Sequence, residues 1–258
     1  MSRRFEGRAV VVTGASKGIG FACARAFLEE GAVVAIASSN RENIDAAARN
    51  LGGNVIPIAA DLRQPREAAR AMDQAEATLG SIDVLVNSAG AAKRYTPDEL
   101  DAQAWRDAMD AKFFSYIYAT DIVVKRMAAR GRGAIVNIIG MGGKVPHASH
   151  LAGGSANAAL MLATVGLASV YGPKGVRING INPGGTLTGR LQEGLAVESR
   201  MTGVPAEELL ARAQANIPLR RLATPEDIAN VALFLASDAA SYVTGAIVPM
   251  DGGAGAVI

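Results

Sequence analysis

The 258-residue sequence predicts a doubly wound α/β fold, with helices on both faces of a seven-stranded parallel sheet. Three observations carry that prediction. Short apolar runs recur along the chain and are nearly continuous rather than alternating, as strands buried on both faces read. Segments of helical period separate them. A glycine-rich turn joins the first run to the first helical segment.

The strand candidates, in order, are Ala9–Thr13, Val33–Ala37, Val55–Ala59, Val84–Asn87, Ile135–Ile139, Val176–Ile181 and Ala246–Pro249. The helix candidates are Gly18–Glu30, Glu42–Leu51, Pro65–Leu79, Asp98–Ala129, Gly154–Tyr171 and Pro225–Ser237. The last opens with Thr-Pro-Glu-Asp, which supplies a cap, a first-turn proline and two acids for the helix dipole. The segment 187–219 interrupts the alternation and reads as a helical insertion near the ligand face, a candidate lid. No linker, repeat or low-complexity tract divides the chain, so residues 1–258 read as one domain.

Composition narrows the function classes. A net charge of +2, without a basic arm, leaves no electrostatic footprint for nucleic acid. One cysteine, Cys23, excludes a disulfide framework and a thiolate metal site, and reads as a small core residue. The longest nearly apolar stretch, Ala158–Val170, reads as too short to span a bilayer. The charged start, Met1–Glu6, argues against a secretory signal. A cytoplasmic protein that contacts neither nucleic acid nor membrane is the expectation.

The first strand runs into Thr13-Gly14-Ala15-Ser16-Lys17-Gly18-Ile19-Gly20. Glycines there permit a tight turn and close approach of backbone to a pyrophosphate, and the helix N-terminus offers free N–H groups. This T-G-x-x-x-G-x-G string resembles the fingerprint of the short-chain dehydrogenase/reductase family, whose fold is Rossmann-type. The remaining motifs follow that family in order. Asp61-Leu62 resembles its adenine-contacting Asp, and Asn87-Ser88-Ala89-Gly90 its N-x-A-G strand end. Arg177-Ile-Asn179-Gly-Ile-Asn182-Pro183-Gly184 resembles the stretch beside the nicotinamide. Thr188 matches the Thr that contacts carboxamide or phosphate, and Asp251-Gly252-Gly253 the C-terminal closure.

The resemblance implies an oxidoreductase-type protein that binds a nicotinamide cofactor. The implied cofactor residues are Gly14, Ser16, Lys17, Gly18, Ile19, Gly20, Ser38, Ser39, Arg41, Asp61, Leu62, Asn87, Ala89, Gly90, Pro183, Gly184 and Thr188. An acid at the end of the second strand would bind the ribose 2′-OH of NAD. Ser38-Ser39-Asn40-Arg41 contains none, and Lys17 and Arg41 suit a 2′-phosphate, so NADP is preferred over NAD. The family also implies a homotetramer, with Phe113, Phe114, Ile117 and Val124 on one helix and Leu160, Leu167 and Val170 on another as interface candidates.

The catalytic positions depart from the family pattern, which uses a Tyr proton donor, a Lys one turn later, a Ser on the carbonyl oxygen and an Asn relay. Counting back from Gly175, Arg177, Asn179 and Pro183 puts Gly153 at the Tyr and Asn157 at the Lys. Ile135-Val-Asn-Ile-Ile139-Gly140 puts Gly140 at the Ser, and Trp105-x-x-x-Met109-x-Ala111-Lys112 puts Lys112 at the Asn. Lys112 and Asn157 thus exchange the Lys and Asn of the pattern, which reads either as a cation–amide pair kept across the pocket in reversed order or as independent drift once catalysis was no longer required. Gly153-Gly154, at a helix start, gains nothing from local helix propensity. Tyr116, one turn after Lys112, and Tyr95 read as packing residues that approach the pocket.

Lys93, Arg94, Lys112, Lys144, His147 and His150 surround this gap, which suits an anionic small-molecule ligand. Lys112 and His150 are the candidate catalytic groups. His147 and His150 lack the Cys, Asp or Glu that would complete a metal shell, so no metal is expected. Three functions stay open: an NADP(H)-binding protein whose ordinary dehydrogenase activity is absent or reworked, an active reductase or non-redox enzyme using Lys112 or His150, and a non-catalytic sensor or partner subunit.

Overall fold

The computed structural model describes residues 3–90 and 92–255. Its strands are β1 (Ala9–Thr13), β2 (Val33–Ser38), β3 (Ile56–Ala59), β4 (Val84–Asn87), β5 (Gly133–Ile138), β6 (Val176–Pro183) and β7 (Ile247–Met250). They form one sheet in the order β3-β2-β1-β4-β5-β6-β7, and each neighbouring pair is parallel. The helices are α1 (Gly18–Glu29), α2 (Arg41–Leu51), α3 (Pro65–Leu79), α4 (Ala102–Ala108), α5 (Ser115–Arg130), α6 (Leu151–Tyr171), α7 (Gly189–Thr202), α8 (Ala206–Asn216) and α9 (Pro225–Ala236).

The sheet is buried on both faces because its strands are apolar at successive positions. Val10 and Val12 of β1 pack with Phe27 of α1, Ile44 of α2 and Ile228 and Leu233 of α9. Val11, on the opposite face, packs with Met72 of α3, Val123 and Met127 of α5 and Ala168 of α6. Cys23 is wholly enclosed, and burial pushes its thiol up to about 12. The capping box that opens α9 forms as the sequence predicts, with Thr224 and Asp227 each accepting from the other's backbone N–H.

Four expectations are revised. The expected helix 98–129 begins at Ala102, because the Asp101 carboxylate caps it by accepting from the Ala104 N–H. A π-helical turn at Met109–Phe114 then separates α4 from α5 and carries Lys112. The helix α6 starts at Leu151, so Gly153 and Gly154 lie inside its first turn. It is also long and apolar enough by composition to cross a membrane, contrary to the expectation from Ala158–Val170. Here Ala152, Ala156, Leu160, Thr164 and Ala168 are buried within the molecule.

A buried polar ladder ties the central strands to the helices. Asn87 of β4 donates to Thr120 Oγ1 of α5 at 2.9 Å and to Asn137 Oδ1 of β5 at 2.9 Å. Asn137 in turn donates to Thr164 Oγ1 of α6 at 2.9 Å. Buried polar groups of this kind are stable only while paired. Replacing Asn137 with Ala breaks two rungs, and urea unfolding is expected to show a loss of about 2 kcal/mol.

Candidate active site

All seven strands deliver their following loops to one edge, where a cleft of about 1230 Å³ opens. Every cofactor residue expected from the sequence lines this cleft except Arg41 and Asn87. Arg41 is exposed and paired with Asp45 at 3.5 Å on its own helix. Asn87 lies below the cleft floor in the ladder just described. Arg177 and Asn179 also serve the scaffold: Arg177 donates to the Leu235, Ala236 and Ser237 carbonyls at the end of α9, and Asn179 to the Val243 carbonyl.

The glycine loop is held against the end of β4. Thr13 Oγ1 accepts from the Ser88 N–H at 3.1 Å and the Ala89 N–H at 3.2 Å. Gly14 has φ +66°, and a Cβ there would lie 2.5 Å from the Ser88 carbonyl oxygen, so only glycine fits. No side chain caps the N-terminus of α1, and its first turn contains no acid. Its exposed N–H groups and positive dipole end therefore face a cleft suited to phosphate. Thr188, at the start of α7, faces this loop: its Cγ2 lies 3.5 Å from where a Cβ on Gly18 would stand. Ser38 Oγ donates to Ser16 Oγ at 3.3 Å. Asp61 forms a bidentate pair with Arg63, which holds the carboxyl below its usual range.

At the other end of the cleft, the loop after β5 lies flat on α6. A Cβ on Gly154 would stand 2.6 Å from the Gly142 carbonyl oxygen, and one on Gly143 would stand 2.7 Å from the Ala158 nitrogen. Of the first-turn glycines, which local propensity leaves unexplained, Gly154 is thus explained by close approach of backbone to backbone. A Cβ on Gly153 would fall on the imidazole of His150. The His150 ring lies over the Gly153 Cα, and a Cβ on Gly142 would stand 2.9 Å from its Cδ2. Burial, then the positive charges of Arg94, Arg190 and Lys112, push His150 down to about 4, so the ring is neutral at pH 7. Its Nδ1 is buried without a partner, as is Oδ1 of Asn157.

Lys112 lines the same end of the cleft, but the cation–amide pair with Asn157 is not formed. Its Nζ donates to Tyr116 Oη at 2.7 Å and to the Ile138 carbonyl at 2.8 Å. The π-helical turn and the end of β5 fix this arrangement, and the ammonium sits 4.4 Å from the Tyr116 ring centroid. Burial, then Arg190, push the Lys112 ammonium down to about 7. Tyr116 is fully buried, which drives its phenol up. Among the other basic candidates, Arg94 and His147 line the cleft, whereas Lys93 and Lys144 do not. Lys93 sits over the Tyr95 ring at 4.9 Å. Sequence reasoning missed Arg190, which donates to the Ala92 carbonyl and pairs with Glu193 at 2.9 Å. Its place two residues after Thr188, at the start of the insertion, was the available signal. The insertion itself folds as α7 and α8 and roofs the cleft through Leu191, Leu195, Glu198 and Ala213. Among the described residues, no group of His, Cys, Asp and Glu is arranged to hold a metal.

The family model described as enoyl-(acyl carrier protein) reductase matches residues 14–255. The cis-4-hydroxycyclohexanecarboxylate dehydrogenase of Sinomonas cyclohexanicum is 36% identical over 260 residues, covering 100% of both chains. The chain belongs to the short-chain dehydrogenase/reductase family. Another member, galactitol 2-dehydrogenase (L-tagatose-forming) of Cereibacter sphaeroides, is 35% identical over 253 residues, covering 97% of this chain and 96% of that one. Among solved short-chain dehydrogenase/reductase structures, L-sorbose reductase from Gluconobacter frateurii, complexed with NADPH and L-sorbose, superposes with a TM-score of 0.90 at 29% identity over the whole of both chains. A 7α-hydroxysteroid dehydrogenase complexed with NADH and 7-oxoglycochenodeoxycholic acid has a TM-score of 0.87 at 32% identity, covering 98% of this chain and 96% of that one. Both nicotinamide forms therefore occur among neighbours of this fold.

Lys112 carries a pH-dependent prediction. Its pKa falls from 10.5 to about 7 on folding, so between those values the unfolded chain binds the extra proton and stability rises with pH. Below about pH 7 the burial penalty is fully present. In Lys112→Met, Tyr116 Oη keeps its 2.6 Å bond to the Ile138 carbonyl. The variant is expected to exceed the wild type at pH 7 by on the order of 1 kcal/mol, a gap that narrows toward pH 10. Urea titrations across that range measure it.

Proposed function

We propose that this short-chain dehydrogenase/reductase binds NADP(H) and does not carry out carbonyl reduction by the family's Tyr–Lys pair, its site being reworked around His150 and Lys112. The observation that carries this reading is the His150 imidazole resting on Gly153, where counting along the family motifs puts the phenol. Bound NADP(H) would supply or accept a hydride. The chain's own part would be proton handling at the substrate oxygen. Neutral His150 offers one donor and one acceptor nitrogen, and Asn157 offers an amide beside it. Lys112, poised near pH 7, is the titratable cation of the same pocket. An anionic substrate suits the surplus of cations at this end. The name of the Sinomonas relative, a hydroxy-carboxylate dehydrogenase, supports the same class.

A non-catalytic role, as sensor or partner subunit, draws support from a different feature. Lys112 and Asn157 are not joined, so no hydrogen-bonded relay runs from the ammonium to His150. NADPH binding without turnover of any carbonyl compound, in the wild type and in Lys112→Asn alike, would favour that role.

Two further elements belong to the proposal. Segment 187–219 acts as a lid over the ligand, since α7 and α8 roof the cleft. The chain assembles as a homotetramer. Val124 and Leu160, expected at the interfaces, are core residues with 0% and 1% exposure, and the exposed large apolar residues of α6 are Leu151, Leu162, Val165 and Val170.

The NADP preference rests on Lys17 in the glycine loop and on Ser38 and Ser39 where an acid would favour NAD. Arg41 drops out of the argument because it does not line the cleft. Fluorescence titration is expected to show NADPH binding more tightly than NADH, with the margin narrowed in Lys17→Ala. The reverse order would refute the preference.

Restoring the family pattern requires a fifth change. A tyrosine at 153 meets the His150 ring, so Gly140→Ser, Gly153→Tyr, Asn157→Lys and Lys112→Asn are to be combined with His150→Ala. Gly140 has φ +132°, so a serine there requires the loop to relax. The five-fold variant is expected to reduce small ketones with NADPH at least about 10²-fold faster than the wild type. Fast ketone reduction by the unmodified protein, unchanged by Lys112→Asn and His150→Ala, would refute the reworked-site reading.

A further inference from the structure

The roofed end of the cleft contains an arginine without an anion. Arg94 leaves the loop after β4 and runs beneath α7, where Gly194 packs on its guanidinium. A Cβ on Gly194 would stand 2.8 Å from Arg94 Nε and 3.1 Å from Cζ, so the helix backbone lies directly on the group. Arg94 Nη1 donates to Ser149 Oγ at 3.2 Å. Ser149 is fully enclosed, and its hydroxyl also lies 2.9 Å from His147 Nδ1. The guanidinium is therefore fixed in place, yet its buried Nε has no partner. Among the described residues no carboxylate lies within salt-bridge distance of it, although Glu193 and Glu198 are near enough to favour its charged form.

Arg130 also has a buried Nε without a partner, but it pairs with Glu76 at 3.7 Å and donates to the Ile82 carbonyl. Arg126 pairs with Asp73 and Glu76, and Arg221 with Asp227. Arg177, also half-buried and without a carboxylate, gives its donors to three backbone carbonyls. Arg94 has five N–H groups and one hydroxyl to receive them. Burial, then Arg190, pull its pKa below the usual value, but a guanidinium stays charged at any physiological pH. Buried charges are paired in stable proteins, and the planar fork of arginine matches a carboxylate through two parallel hydrogen bonds.

We infer that Arg94 is the binding residue for a carboxylate on the small-molecule ligand, which makes the substrate class a carboxylic acid whose reacting oxygen reaches His150. Ser149 is a positioning residue that holds the guanidinium. The inference rests on reading this cleft as one that takes a small ligand beside the cofactor.

Benzoate and benzamide, alike in size and differing in charge, test it. Each is titrated by calorimetry into the full-length protein at pH 7, with and without NADPH. The arginine Nε–H signals are followed in parallel by 15N NMR. Benzoate is expected to bind at least about tenfold more tightly than benzamide and to shift the Arg94 Nε–H signal. Arg94→Gln is expected to bring the two ligands within about twofold of each other, with NADPH affinity changed by less than about twofold. Arg94→Lys, which keeps the charge, is expected to recover part of the preference. Equal binding of the two ligands overturns the inference, as does failure of benzoate to bind at millimolar concentration. A preference that survives Arg94→Gln and disappears in Arg190→Ala assigns the anion to Arg190 and overturns it as well. Loss of NADPH binding with the benzoate preference intact refutes the cofactor reading and leaves the Arg94 site standing.

Discussion

Seven strands that all run the same way must each be returned by a crossover, and every crossover delivers a loop to the carboxyl-terminal edge of the sheet. The cleft follows from that constraint. The order β3-β2-β1-β4-β5-β6-β7 reverses beside β1, so the loops after β1 and β4 leave toward opposite faces of the sheet and a crevice opens between them. Thr13 fastens them by accepting two N–H groups from the far side of the junction. Gly14 lets the two backbones touch, and the uncapped end of α1 is left facing the opening.

The second half of the cleft depends on an equally close approach, between the loop after β5 and the first turn of α6. Glycine inside a helix costs up to about 1 kcal/mol relative to alanine, and α6 accepts two in succession. Contact with Gly142 accounts for one, and the ring of His150 accounts for the other. The space that a side chain at 153 would occupy is filled by an imidazole from one turn earlier in the chain. Substitution at 153 therefore alters His150 as well, and the two positions act as one unit.

Polar groups without partners gather at this same end: His150 Nδ1, Asn157 Oδ1 and Arg94 Nε. Three others lie elsewhere: Glu76 Oε1, Arg130 Nε and Asn87 Oδ1, the last within the Asn87–Asn137–Thr164 ladder. Lys112 adds a desolvated ammonium, supported only by a hydroxyl and a carbonyl. Such groups lower stability, and a concentration of them in a cleft marks a place shaped for a ligand rather than for folding. The positive charges of Arg94, Arg190 and Lys112 at this end help to keep His150 neutral.

The sequence by itself determined the sheet, its parallel sense and the glycine-loop end of the cleft. Apolar runs such as Val10–Val12 and the Gly14–Gly20 turn are local patterns with one common solution in backbone geometry. The break in the helix after β4 was not legible, because a π-helical turn leaves the apolar period of Met109–Phe114 almost unchanged. The roles of Arg41 and Asn87 were also decided in three dimensions. An arginine in a first helical turn reads alike whether it faces phosphate or a neighbouring Asp45. An asparagine at a strand end reads alike whether it lines a cleft or bridges to Thr120 below it. Arg190 and the burial of Arg94 depend on where α7 lies, and no short-range pattern fixes that. What filled the place above Gly153 was likewise settled only by packing: the ring of His150 turns back over α6 because the glycines at 142 and 153 leave it room.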